Sequence, residues 1–253
     1  MLYLIGLGLK PNQITQEALE LFKKSEKVYV EAYTSQYAEG SLNDLEKLIG
    51  KATTSLGRKE IEEEFKQVLE EAKTKEIALG IFGNPMNATT HLQIILDAKK
   101  EKVEVKIIPG LSIFELVSFT GLERYKFGKT TSIVFYEDNF EPESFYDTIV
   151  ENKKLGLHTL CLLDIKKDEE KLMNISHAVT LLERIEVQRE QNTLNDSIFV
   201  GLSGLGSNNE EIKAGSMEQL KKIKFSIYPQ SLIVCGKLNE KEVEGLKELS
   251  DLK

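Results

Sequence analysis

Short apolar runs alternate along the chain with longer segments in which apolar residues recur every three or four positions. The short runs predict buried strands and the longer segments predict amphipathic helices. This alternation is typical of parallel sheets flanked by helices. The run 77–82 is apolar on both faces, as a central parallel strand should be. We expect strands at 1–5, 27–30, 52–56, 77–82, 103–108, 131–136, 159–163, 197–202 and 232–235, with a short extra strand at 212–214.

Polar residues mark where several of the helices begin. Thr15 is available as an N-cap, and Ser41 is followed three residues later by Asp44, which resembles a capping box with Asp in place of Glu or Gln. We expect helices at 15–24, 41–49, 59–73, 88–100, 112–119, 144–152, 169–187, 217–222 and 240–249.

A connector at 121–128 separates two stretches of this pattern. It contains charged residues and a tyrosine between two glycines, and the alternation of strands and helices restarts after it. We therefore expect two α/β domains, 1–120 and 128–253.

Composition narrows the classes of protein that remain. The 253 residues include 41 acidic and 33 basic side chains, for a net charge of −8. Binding to a nucleic-acid backbone needs clustered Lys and Arg, and a membrane span needs about 20 apolar residues in a row, so we expect neither. Cys161 and Cys235 lie in apolar runs, which suits reduced thiols in a cytoplasmic protein. Met1–Leu9 lacks a basic leader and a cleavage site, so we expect no signal peptide.

The first predicted strand ends in a turn with two glycines, Gly6 and Gly8. The dinucleotide-binding fingerprint needs a third glycine at position 11, where this chain has Pro11. The turn therefore does not indicate a Rossmann site. Either a tight turn or a close approach to another ligand remains open.

Two further strand-end loops are rich in small and polar residues. The segment 83–91 (Gly-Asn-Pro-Met-Asn-Ala-Thr-Thr-His) and the segment 109–113 (Pro-Gly-Leu-Ser-Ile) each follow a predicted strand and begin a predicted helix. Ligands of open parallel sheets bind at such ends. Asn87, Thr89, Thr90 and Ser112 also suit plain helix caps. If both loops bind a ligand, they line one crevice.

No catalytic constellation or metal site stands out. His91, His158 and His177 have no partner at metal-binding spacing, so we expect no metal. His91 either forms hydrogen bonds at a helix end or helps to deprotonate a substrate. The segment 201–207 (Gly-Leu-Ser-Gly-Leu-Gly-Ser) is not a nucleophile elbow, because the glycine after Ser203 stands one place too early and no pairing of a histidine with an acid is apparent.

At these loops the sequence resembles the diphthine synthase family. The resemblance runs in order along the whole chain. Its most specific parts are Ala88-Thr-Thr-His91 and Gly156-Leu-His-Thr-Leu160. The other matching segments are 1–9, 31–35, 145–147, 161–166, 201–202 and 205–207.

The resemblance implies two α/β domains of tetrapyrrole methylase type, with S-adenosylmethionine in the cleft between them, and a homodimer. It implies methylation of the amino group of a 3-amino-3-carboxypropyl-histidine on translation elongation factor 2, in diphthamide biosynthesis, with S-adenosylhomocysteine as the product. Methyl transfer of this kind needs no dedicated nucleophile, which agrees with the absence of a catalytic constellation in the sequence, so we assign no catalytic side chain. Carried over by position, the cofactor-binding residues are Leu9, Asn84, Asn87, Ser112, Ile113, Leu163, Leu205 and Gln230.

Two of these residues depart from the family pattern. The family commonly has Asp where this chain has Asn84 and His where it has Gln230. Two alternatives stay open, the first because the fold would be similar and the second because of these two departures. One is a small-molecule methylase acting on a uroporphyrinogen or a precorrin, and the other is a non-catalytic cofactor-binding module.

Overall fold

A computed structural model of the chain describes residues 1–253, apart from the side chain at position 168. The chain divides into two units, Met1–Phe114 and Glu115–Lys253, and each contains one five-stranded sheet. The functional domains expected at 1–120 and 128–253 stay a prediction. Among the described residues, no helix combines the length and the apolar character that crossing a membrane requires.

The sheet of the first unit is entirely parallel. Its strands pair in the order β3-β2-β4-β1-β5, and β1 and β4 in its centre are buried along their whole length. The strands are β1 (Leu2–Gly6), β2 (Lys27–Glu31), β3 (Thr54–Leu56), β4 (Ile77–Ile81) and β5 (Val105–Ile108). The helices are α1 (Gln16–Lys24), α2 (Leu42–Ile49), α3 (Arg58–Glu62), α4 (Lys66–Ala72), α5 (Leu92–Lys100) and α6 (Ile113–Leu116).

Both faces of this sheet carry a hydrophobic core because side chains alternate along each strand. Leu4 of β1 belongs to the core that includes residues of α3, α4 and α5. Its neighbour Ile5 belongs to the core that includes residues of α1 and α2. The apolar runs of the central strands are therefore required by burial on both sides.

The second unit has a mixed sheet, in the order β11-β10-β12-β7-β6. Its strands are β6 (Thr131–Ile133), β7 (Thr159–Leu163), the β8 and β9 hairpin (Ile165–Lys166 and Lys171–Leu172), β10 (Phe199–Ser203), β11 (Glu211–Gly215) and β12 (Gln230–Val234). Its helices are α7 (Ser144–Lys154), α8 (Ile175–Arg189), α9 (Met217–Lys222) and α10 (Glu240–Leu249).

The expectation of a parallel sheet is wrong for most of this second unit. β6 and β7 are parallel, whereas β12 is antiparallel to both of its neighbours and β11 is antiparallel to β10. The link between β10 and β11 contains no helix, and a connection this short joins antiparallel strands. The extra strand expected at 212–214 is present within β11.

Four predicted helices differ from the structure by three residues or more. The helix expected at 112–119 ends at Leu116 and is followed by a 3-10 helix at Val117–Thr120. The helix expected at 59–73 is divided into α3 and α4, and the division separates Glu60 from Glu64, which would be like charges one turn apart in a continuous helix. The helix expected from 88 begins at Leu92, because Ala88 has a left-handed φ of 50°. The helix expected from 169 begins at Ile175, after the β8 and β9 hairpin.

A buried network around Glu242 stabilises the second unit. The carboxylate of Glu242 lies 2.8 Å from His158 Nε2, forms an ion pair with Lys126, and accepts hydrogen bonds from the backbone N–H groups of Glu123 and Asn239. The other ring nitrogen of His158 accepts a hydrogen bond from the N–H of Gly236 at 3.0 Å. Both ring nitrogens are therefore engaged within the unit, and the histidine of Gly156-Leu-His158 has a structural role.

This network predicts acid sensitivity. Burial alone would raise the pKa of Glu242, but hydrogen bonds from Lys126, Asn239 and His158 lower it from 4.5 to about 2. Because the folded pKa is depressed, the stabilisation is complete above pH 4.5 and is lost as the pH falls towards 2. This group then accounts for about 3 kcal/mol of the free energy of unfolding. We expect Glu242→Gln to remove that contribution at pH 7, as measured by urea denaturation.

The matched control is Glu248→Gln, at an exposed carboxylate on the same helix. We expect it to follow the wild-type pH dependence. The stability difference between Glu242→Gln and wild type should shrink as the pH falls from 4.5 to 2. A difference that stays constant over this range would contradict the assignment.

Candidate functional site

Glycines bring the ends of β1, β4 and β5 into backbone contact. Gly8 and Gly83 exchange backbone hydrogen bonds of 2.9 and 3.3 Å just beyond β1 and β4. A Cβ atom added at Gly6 would lie 2.7 Å from the carbonyl oxygen of Gly83, and one added at Gly110 would lie 2.7 Å from the carbonyl carbon of Gly6. Any larger residue at Gly6 or Gly110 would therefore push these backbones apart. Backbone packing alone accounts for the first glycine of the turn.

The loops after β4 and β5 meet directly. We call residues 83–91 the β4 loop and residues 109–112 the β5 loop. Asn87 Nδ2 donates a hydrogen bond of 3.0 Å to Ser112 Oγ, which joins the two loops. Asn84 Oδ1 accepts a hydrogen bond of 3.0 Å from the N–H of Met86, which closes a turn inside the β4 loop. The two loops therefore place their polar groups side by side. That they line one ligand crevice stays a prediction.

Leu9 and Ile113 complete the first group of predicted cofactor-binding residues. The N–H of Leu9 donates to Gln13 Oε1 at 2.9 Å, and its carbonyl accepts from the N–H of Ala38 at 2.9 Å. Ile113 is the first residue of α6, directly after Ser112. Five of the eight predicted residues thus follow strand ends of the first unit.

The other three predicted cofactor-binding residues lie at one end of the inner strands of the second sheet. Leu163 ends β7, Leu205 follows β10, and Gln230 begins β12. Gln230 is opposite Ser203 in the strand register, and Ser231 is opposite Leu162. The structure therefore brings these three together within their own unit.

The side chain of Gln230 is engaged by its own unit. It is buried, its Oε1 accepts a hydrogen bond of 2.9 Å from the N–H of Ile175, and its Nε2 donates one of 3.4 Å to the carbonyl of Phe225. The amide therefore satisfies an N–H group at the start of α8. Nothing in the local sequence pattern indicated this helix-end role.

A histidine and a glutamate form a buried pair beside the β4 loop. His91 is 1% exposed and Glu31 is 0% exposed, with 3.6 Å between His91 Nε2 and Glu31 Oε2. His91 Nδ1 lies 3.1 Å from the carbonyl oxygen of Pro85 and 2.5 Å from Thr89 Oγ1. Burial lowers the pKa of His91, whereas the Glu31 carboxylate raises it. Sequence reasoning singled out His91 but missed Glu31, since neither period nor spacing links the two residues.

The parallel sheet ends in glycine turns, and amide and hydroxyl groups lie at the carboxyl ends of its strands. Such an arrangement suits an α/β protein that binds a small polar ligand.

Residues 1–221 match the model of the tetrapyrrole (corrin/porphyrin) methylases. The chain is 39% identical to a diphthine synthase of Methanococcus maripaludis, over 98% of each chain. It is 40% identical to that of Methanocaldococcus jannaschii, over 99% of each. A solved diphthine synthase structure aligns with 34% identity and a TM-score of 0.90, over 100% of this chain and 96% of that one.

The chain therefore belongs to the tetrapyrrole methylase family, as an S-adenosylmethionine-dependent methyltransferase, and within that family to the diphthine synthases. The expected fold class, two α/β parts of tetrapyrrole methylase type, is confirmed.

The close glycine packing predicts a specific cost of substitution. We expect Gly110→Ala to lower the free energy of unfolding by about 3 kcal/mol, because its Cβ would collide with the backbone of Gly6 and Gly83. The control is Gly50→Ala at the end of α2. That position has a left-handed φ of 71° but open space around the added Cβ.

The control should lose about 1 kcal/mol, from backbone strain alone. Urea denaturation of both variants measures the difference. Equal losses would show that the backbones at Gly110 can separate without cost.

Proposed function

We propose that this enzyme transfers methyl groups from S-adenosylmethionine to the amino group of the 3-amino-3-carboxypropyl-histidine of translation elongation factor 2, in diphthamide biosynthesis. The observation that carries the proposal is the full-length similarity to diphthine synthases at 39 to 40% identity. A homodimer and a cytoplasmic location belong to the same proposal.

The residues at the strand ends of the two sheets suit the cofactor. The side chains of Asn87 and Ser112 offer neutral hydrogen-bond donors and acceptors, which suit ribose hydroxyls and an adenine ring. Gly83 adds no side chain, and its φ of 70° turns the backbone at the end of β4. We propose that the cofactor-binding residues are Leu9, Asn84, Asn87, Ser112 and Ile113 of the first unit and Leu163, Leu205 and Gln230 of the second. The side-chain amide of Gln230 is already engaged by Ile175, so we expect Gln230 to contribute through its backbone.

The proposed reaction does not need a dedicated acid or base side chain. S-Adenosylmethionine supplies the methyl group on a positively charged sulfur. The substrate amine would have to give its proton to solvent first, because only the neutral amine has a lone pair to bond to the methyl carbon, with S-adenosylhomocysteine as the leaving group. The part of this chain would be to align the reacting atoms and to exclude water during transfer.

His91 does not suit the role of a base. It is 1% exposed, and one of its ring nitrogens is engaged by the β4 loop. Hydrogen bonding next to the start of α5 is therefore the interpretation we adopt. We assign no general base.

Three functions are distinguished by one assay. The chain is incubated with cofactor labelled in the methyl group and with elongation factor 2 that already carries the 3-amino-3-carboxypropyl group. We expect label on the factor. Label on a uroporphyrinogen or a precorrin instead would support the small-molecule alternative. Cofactor binding without transfer to any of them would support the non-catalytic module.

The contact between the two loops gives a second prediction. We expect Asn87→Ala to weaken binding of S-adenosylhomocysteine about tenfold, measured by calorimetry, because the variant loses the amide that holds the β5 loop. Ser112→Ala should act similarly, and the double variant should be little worse than either single one. Asn195→Ala is the control, since Asn195 is exposed and bonded to Asn192 in the other unit. Unchanged binding in Asn87→Ala would contradict this role for the two loops.

A further inference from the structure

The β4 loop contacts three neighbouring strand ends. Gly83 pairs with Gly8 beyond β1, Asn87 bonds to Ser112 beyond β5, and His91 faces Glu31 at the end of β2. The first contact joins backbone to backbone and the second joins two neutral side chains. The contact of His91 with Glu31 is the one that involves titratable groups.

Glu31 is fixed independently of the histidine. Its Oε1 accepts hydrogen bonds from the N–H groups of Tyr33 and Thr34 at 3.1 and 2.8 Å, and its Oε2 accepts one from Thr34 Oγ1 at 2.8 Å. These contacts tie the carboxylate to the turn that follows β2. Glu31 is therefore a rigid point against which the ring of His91 can be placed.

The turn after β2 is itself braced by α3. Tyr33 Oη donates a hydrogen bond of 3.2 Å to Glu62 Oε1, and the guanidinium of Arg58 lies 5.2 Å from the centre of the Tyr33 ring. Glu62 and Arg58 of α3 are therefore charged groups that contact this turn.

The two ring nitrogens of His91 face different partners. Nδ1 contacts Pro85 and Thr89, which both belong to the β4 loop, so this side closes the loop on itself. Nε2 has no hydrogen-bond partner among the described side chains and faces Glu31 Oε2 at 3.6 Å. The ring thus links the closed loop to the end of β2.

We propose that Glu31 and His91 are positioning residues that hold the β4 loop in the form that binds the cofactor. The inference rests on the proposed function, because it assigns Asn84 and Asn87 of that loop to the cofactor. The pair acts through those residues and touches no reacting atom. Its loss should weaken cofactor binding and leave the rate at saturating cofactor unchanged.

Two substitutions of His91 separate the two sides of the ring. His91→Asn keeps a polar group near the position of Nδ1 and loses the reach to Glu31, whereas His91→Gln keeps the reach and loses the fit to Pro85. We expect His91→Asn and Glu31→Gln each to raise the cofactor KM and the Kd of S-adenosylhomocysteine about tenfold, with kcat within twofold of wild type. His91→Gln should recover part of the affinity.

The matched control is His158→Asn, which breaks the buried histidine–glutamate pair of the other unit. It should lower the urea midpoint of the chain but leave the cofactor KM and the Kd unchanged. Should the Glu31 and His91 variants not fold, Thr89→Val removes one contact of the ring, and we expect it to raise the Kd three- to fivefold.

The outcomes separate this inference from the proposed function. Wild-type chain that binds neither S-adenosylmethionine nor S-adenosylhomocysteine would contradict the proposed function itself. Wild-type chain that binds them, with folded Glu31 and His91 variants that bind equally well, would overturn the inference alone. A Kd that rises equally in His158→Asn would also overturn it, because the effect would then be one of general stability.

Discussion

The backbone contact among Gly6, Gly83 and Gly110 is the constraint on which the candidate site of the first unit depends. The backbones at the ends of three neighbouring parallel strands contact one another here, and a Cβ atom at Gly6 or Gly110 would prevent that contact. Adjacent parallel strands are about 4.8 Å apart, so their following loops would ordinarily diverge to make room for side chains. Here the loops remain close enough for Asn87 to reach Ser112 at 3.0 Å.

The second unit also contains a close backbone contact between glycines, Gly121 and Gly245. A Cβ atom added at Gly245 of α10 would lie 2.8 Å from the carbonyl oxygen of Gly121, so the connector and this helix also approach backbone to backbone. A buried histidine–glutamate contact lies near each glycine contact in the sequence, with Glu242 on the same helix as Gly245 and His91 in the same loop as Gly83. The pairs differ in geometry. His158 is within hydrogen-bond distance of its glutamate, whereas His91 is held by its own loop and only faces Glu31.

Much of the fold follows from local sequence because burial on both faces of a sheet leaves a continuous apolar run. The strand at 77–82 could be predicted for this reason. The helix caps at Thr15 and Ser41 could also be predicted, because each cap depends on residues within a few positions. The direction of β12 could not be predicted locally, because it depends on which distant strands flank it. The pairing of Glu31 with His91 joins residues 60 positions apart, and the engagement of Gln230 by Ile175 joins residues 55 positions apart. Tertiary contacts of this range leave no local periodicity in the sequence.

The charges around the β4 loop suit a reaction in which positive charge moves from sulfur to nitrogen. A carboxylate held near the sulfur would stabilise the reactants more than the transition state, and catalysis gains only from the reverse. Asn84, Asn87 and Ser112 place neutral groups at this edge. The carboxylate of Glu31, which faces His91 of this loop at 3.6 Å, accepts hydrogen bonds from two backbone N–H groups and a hydroxyl. At the proposed cofactor site, the amide of Asn84 is therefore compatible with methyl transfer, because the reaction requires alignment and the exclusion of water rather than a fixed charge at these strand ends.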